Sequence, residues 1–193
     1  KLSGESGILQ LMDDLGKPLP KGIPSYQLGG GNPAQIPEIE KMYRNRMEKI
    51  ISNSDEFEQL IGRYDAPQGK ISFIESVAEF LSNKFGWKIG PENVGITNGS
   101  QSAFFYLFNL FSGTFSNSNK KKTIVLPLVP EYIGYADQGL EADTFVGIPA
   151  TFTMSNNHTF KYNVDFEKLE NYLEKHDNVG ALCVSRPTNP TGN

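Results

Sequence analysis

Cysteine occurs once in 193 residues, at Cys183, which excludes an internal disulfide framework. It lies in the apolar run Gly180-Ala181-Leu182-Cys183-Val184, where it reads as a small hydrophobe in a strand. Positive charge is in deficit: 18 Lys and Arg stand against 22 Asp and Glu, a formal net charge of -4. That balance argues against a nucleic-acid or anionic-membrane surface. No apolar run reaches the roughly 18 residues that a membrane-spanning helix needs, and no internal repeat is present. No nucleic acid and no membrane are expected as partners, and a cytoplasmic location is expected. What remains is an ordinary globular composition, 38% hydrophobic and 21% charged, long enough for a domain with its own core.

Gly and Pro crowd residues 1–37, which read as an N-terminal arm and Gly-rich loop with one short helical stretch at 7–15. Residues 38–90 read as a helical segment. Apolar residues fall at helical spacing over 38–61 and 70–85, on either side of a Pro/Gly loop at 64–69. From residue 91 onward the pattern alternates. Strands are predicted at 94–97, 123–126, 144–148 and 181–184, and helices at 100–111, 131–140 and 165–176. Such alternation predicts an α/β fold with a mostly parallel central sheet and flanking helices. Residues 112–122 and 151–159 read as polar surface loops. The helix at 100–111 is apolar on nearly every side, so it needs cover both from the sheet and from a second layer or a partner subunit.

Five motifs offer chemistry. Thr97-Asn98-Gly99-Ser100-Gln101 joins a predicted strand to a helix, where free amides and the helix dipole suit an anion. A Ser or Asn N-cap without a ligand is the competing reading. Tyr132, in Pro130-Glu131-Tyr132, stands at a strand's carboxyl end, where its ring stacks on a flat heterocycle or simply packs. Asn189, in Asn189-Pro190-Thr191-Gly192, holds an amide donor in a Pro-flanked turn, itself a common turn opening. Gly29-Gly30-Gly31-Asn32-Pro33 allows close approach to a carboxylate or acts as a hinge. Tyr64-Asp65-Ala66-Pro67-Gln68-Gly69 is a loop between helices.

In this order and spacing, the five segments resemble the N-terminal half of the class I/II aminotransferases, enzymes of fold type I that use pyridoxal 5'-phosphate (PLP). The resemblance covers essentially the whole chain. It implies that Gly99, Ser100 and Gln101 hold the PLP phosphate, that Tyr132 stacks on the pyridine ring and that Asn189 donates to its phenolic oxygen. Tyr64 would reach the phosphate of a neighbouring subunit in a homodimer. Gly30 and Gly31 would meet the substrate carboxylate. Residues 91–193 would form the first part of the PLP-binding large domain. The resemblance is strongest to members that move an amino group between valine or alanine and pyruvate or 2-oxoisovalerate.

It also implies an Asp, a Tyr, a cofactor-bearing Lys and a carboxylate-binding Arg beyond the Asn-Pro-Thr-Gly turn. No catalytic residue is therefore expected within these 193 residues. The natural protein is expected to be longer, and this piece alone to be inactive. A β-lyase of the same fold and a non-catalytic effector domain are the alternative readings.

Overall fold

The computed structural model describes residues 7–18, 20–24, 26, 33–116, 120–156 and 158–193. The chain divides into two compact units, Leu15–Thr97 on one side and Asn98–Asn193 together with Lys1–Asp14 on the other. Helix α1 spans Gly7–Gly16.

The unit Leu15–Thr97 is helical. Pro at its first position starts α2 (Pro37–Ser52), a placement where the missing N–H costs nothing. The expected single helix over 38–61 is two. Asn53 adopts an extended conformation (φ -108°, ψ 103°), ends α2 and starts α3 (Ser54–Gly62), with Arg46 and Glu56 paired across the break. Helix α4 (Ile71–Phe85) buries Ile74 and Ala78, one turn apart, and ends at Gly86, whose φ of 69° suits glycine. The predicted strand at 94–97 does not form. A strand needs a ladder, and here Ile96 N donates only to Gln68 O, at 3.0 Å. That contact closes the 64–69 loop, where Gly69 (φ 113°) has no room for a Cβ against Ile96.

The second unit is an α/β sandwich. Helix α5 (Ser100–Phe111) leads through β1 (Gly113–Thr114) into β2 (Lys121–Val129), the central strand. The strands β3 (Phe145–Pro149) and β6 (Val179–Leu182) both run parallel to β2, while β1 pairs antiparallel with its first residues. Alternation along β2 builds two cores. Ile124 and Leu126 pack with Phe108 of α5 and Tyr135, whereas Val125 packs with Ile148 and with Leu169 of α6 (Phe166–Lys175). Asp165 caps α6 by accepting from Lys168 N at 3.0 Å, and the Lys168 side chain and amide hold its carboxyl below the ordinary carboxylate value. The predicted parallel sheet with flanking helices is present. Cover of α5 is one-sided: Phe104 and Phe108 meet the sheet core, while Tyr106 and Leu110 are 63% and 62% exposed.

Two further expectations are corrected. Residues 131–140 form not a helix but a short 3-10 turn at Ile133–Tyr135 and a loop. Gly134 and Gly139 pack too tightly for side chains, and Asn109 of α5 takes over the loop's polar groups, donating to Gln138 O (2.7 Å) and accepting from Leu140 N (2.9 Å). The segment read as a loop at 151–159 belongs to a hairpin, β4 (Thr151–Asn156) with β5 (Thr159–Asn163). Its register sets Phe152 opposite Tyr162 and Met154 opposite Phe160, so aromatic packing rather than burial holds it.

Candidate functional site

Because β2 and β6 are parallel neighbours, the chain leaves both at the same edge of the sheet. Ligands of open α/β sheets bind at that edge. Three of the five motifs meet there.

The first is the start of α5. Gly99 is its N-cap at φ 84° and ψ 166°. A Cβ there would meet nothing within 4 Å, so glycine is required by backbone conformation and not by space. The first amides of a helix have no partner within it, and with the helix dipole they favour an anion. No acidic residue lies in the first turn to compete for them. Ser100 is exposed at this end. Gln101 is half-buried, and its Oε1 is buried with no hydrogen-bond partner among the described residues.

The second is residues 130–135. The half-buried Tyr132 ring stands edge-on to Tyr135, with centroids 5.5 Å apart at 89°. Beside it lies Gly134, where a Cβ would collide with the Tyr132 ring and stand 2.5 Å from Gln101 Nε2. Tyr132 and Gln101, distant in sequence, thus converge on one glycine.

The third is the tail. Ser185 N donates to Glu131 Oε1 at 3.0 Å, and Ser185 Oγ pairs with the Tyr135 hydroxyl at 2.8 Å. Buried Thr188 donates to Ser185 O (2.8 Å) and accepts from Arg186 Nη1 (3.0 Å). The Asn193 amide brackets the Tyr162 backbone, donating to its oxygen at 2.9 Å and accepting from its N–H at 3.1 Å. The turn is held at both ends, and Asn189 is exposed within it. Burial, more than any other cause, pushes the Tyr135 phenol above its ordinary value, so it is a neutral hydrogen-bond group at pH 7. Burial, and then the Glu131 charge, raise the Cys183 thiol as well, which keeps it protonated and unreactive.

Gly99, Ser100, Gln101, Tyr132 and Asn189 all belong to this unit. Tyr64 belongs to the other, with a fully exposed side chain. Gly30 and Gly31 lie outside the described residues. A cavity of about 420 Å³ borders Glu131, Tyr132, Tyr135 and Phe145, but neither the α5 start nor Asn189 lines it. The ties of Glu131 and Tyr135 to Ser185 escaped sequence reasoning, because only the β2–β6 pairing brings these residues together. Among the described residues, no group of His, Cys, Asp or Glu is placed to hold a metal. Helix-start amides, an aromatic face and an exposed amide donor fit a flat ring bearing an anionic group, as in PLP.

The family described as "Aminotransferase class I and II" matches residues 40–193. The valine–pyruvate aminotransferase of Escherichia coli (strain K12) is 46% identical over 193 residues, 100% of this chain and 45% of that enzyme. The aspartate aminotransferase of Thermotoga maritima is 28% identical over 67% of the chain and 31% of its own length. Among solved structures, the valine-pyruvate aminotransferase of Salmonella typhimurium LT2 superposes with a TM-score of 0.75 at 43% identity, covering 97% of this chain and 43% of that one. The chain spans less than half the length of these relatives, and its fold is that of fold type I PLP enzymes. It belongs to the class I and II aminotransferase family.

Proposed function

We propose that the protein carrying this chain is a PLP-dependent transaminase that exchanges an amino group between valine or alanine and pyruvate or 2-oxoisovalerate. One observation carries the cofactor part: Gln101, at the start of α5, and Tyr132, after β2, converge on Gly134 at the ligand-binding edge of the sheet. The choice of amino acids rests on the 46% identity to the valine–pyruvate enzyme.

In this reading PLP supplies an electron sink for the carbon that loses its proton. Gly99, Ser100 and Gln101 hold the phosphate with backbone and side-chain donors. Tyr132 lies against the ring and limits its tilt. Asn189 donates to the phenolic oxygen and favours its ionised form. The substrate carboxylate is assigned to Gly30 and Gly31, and the phosphate of a second subunit in a homodimer to Tyr64. The exposed face of α5, with Tyr106 and Leu110, suits burial in such an assembly. Residues 91–193 form the first part of the cofactor domain, of which Asn98–Asn193 lie in the sheet unit.

Incubating the PLP-loaded full-length protein with 15N-labelled L-valine and pyruvate tests the reading. Labelled alanine is the expected product. Labelled alanine formed from other amino acids but not from valine would overturn the substrate assignment. No transfer from any amino acid would overturn transamination itself.

A further inference from the structure

Glu131 has no part in the cofactor contacts above, yet it occupies the joint between two of them. The β2–β6 pairing matches Val125 with Leu182, and its last bond runs from Cys183 N to Val125 O at 2.9 Å. Beyond it β2 continues to Val129 beside β3, while the segment after β6 departs as the tail. Ser185 is where the two are tied again, through its N–H to Glu131 Oε1 at 3.0 Å and its Oγ to the Tyr135 hydroxyl at 2.8 Å. Glu131 directly precedes Tyr132. Ser185 O in turn receives the Thr188 hydroxyl at 2.8 Å, which shapes the turn presenting Asn189.

We infer that Glu131 is a positioning residue: its carboxylate fixes the Ser185–Asn189 turn against Tyr132 and so sets where the Asn189 amide meets the cofactor. A backbone N–H bonded to an ionised carboxylate is held more tightly than one bonded to a neutral acceptor. The Glu131 carboxylate is also costly to keep, because its Oε2 is buried without a partner among the described residues. An apolar side chain would fill the same space without that cost but would leave Ser185 N unbonded. Of the titratable groups around it, Tyr135 and Cys183 stay neutral at pH 7, and Tyr132, Glu141 and Asp143 line the same cavity.

The inference rests on the proposed PLP reading. Its test is the pH titration of the cofactor's visible absorbance in the full-length protein and in Glu131→Ala, Glu131→Gln, Asn189→Ala and the Glu131→Ala/Asn189→Ala double variant. Removing the Asn189 donor destabilises the ionised oxygen, so the midpoint rises, by about one pH unit for a lost hydrogen bond to a charged group. Glu131→Ala is expected to raise the midpoint in the same direction. Glu131→Gln, which keeps a neutral acceptor for Ser185 N, raises the midpoint less than Glu131→Ala does. The double variant rises no further than Asn189→Ala alone. A Glu131→Ala protein that is merely less stable but titrates with the unaltered midpoint overturns the inference, as does a shift that adds in full to that of Asn189→Ala. An unaltered protein that shows no PLP absorbance band at all overturns the cofactor reading, and the inference with it.

Discussion

Alanine at Gly180 is expected to keep the sheet unit from reaching its native packing. Gly180 lies in β6, where its backbone passes the last carbonyl of α5. A Cβ there would sit far inside contact distance of the Phe111 oxygen and 2.9 Å from the Phe111 carbonyl carbon. The obstacle is backbone on both sides, so no rotamer change relieves it. Either β6 shifts along β2, which breaks the Thr123–Val125 pairing, or the end of α5 lifts and uncovers Phe108 and Ile124. Overpacking commonly costs about 1–3 kcal/mol, and a backbone-to-backbone clash belongs at or beyond the upper end. Domains are stable by only about 5–15 kcal/mol, so the loss is a large fraction of the total. Denaturant titration of Gly180→Ala against Gly62→Ala isolates the effect. Gly62 closes α3 with nothing within 4 Å of a Cβ, so alanine there is expected to be neutral or stabilising by a few tenths up to about 1 kcal/mol. Equal stability of the two variants would contradict the close approach of α5 and β6.

At Gly134 the expected loss is in cofactor affinity. An added methyl would press on two proposed cofactor contacts at once, the Tyr132 ring and the Gln101 amide. Gln101 can swing away at little cost, because its amide is the end of a flexible side chain. Tyr132 cannot yield so easily, since its ring is wedged edge-on against Tyr135. Tyr135 in turn packs against Phe104 and Phe108 and is tied to Ser185. The displaced ring would stand where the cofactor ring is to lie. A tenfold loss of affinity corresponds to about 1.4 kcal/mol, and the loss of one stacking surface together with one phosphate contact is expected to exceed that. PLP titration of Gly134→Ala in the full-length protein should therefore show a dissociation constant raised tenfold or more. Gly95→Ala, with nothing within 4 Å of its Cβ, should bind as the unaltered protein does. Unchanged affinity in Gly134→Ala would remove Tyr132 and Gln101 from the cofactor site.

Local signals were legible where one residue decides a boundary. The Gly99-Ser100 step, read as a helix start, begins α5. They failed where the deciding partner is remote in sequence. Residues 131–140 carry a helical pattern, but Asn109 and the lack of space at Gly134 and Gly139 impose a loop. The hairpin β4–β5 looks polar because its strands are exposed, and only the cross-strand meeting of Phe152, Phe160 and Tyr162 reveals its pairing. Residues 94–97 have strand-like composition but no ladder to join. The site divides in the same way. Its motif residues could be named from their order along the chain, while the bonds of Glu131 and Tyr135 to Ser185 depend on strand order in the sheet.

A crystal structure of the full-length protein grown with PLP bears most directly on the central claim, that the start of α5, Tyr132 and Asn189 form one cofactor cradle. The account predicts the phosphate within about 3 Å of the Ser100 hydroxyl and the Gln101 backbone N–H, which is hydrogen-bond distance. The ring should lie over Tyr132, and the Asn189 amide should meet its phenolic oxygen. PLP bound elsewhere, with the start of α5 holding only water, would contradict the account.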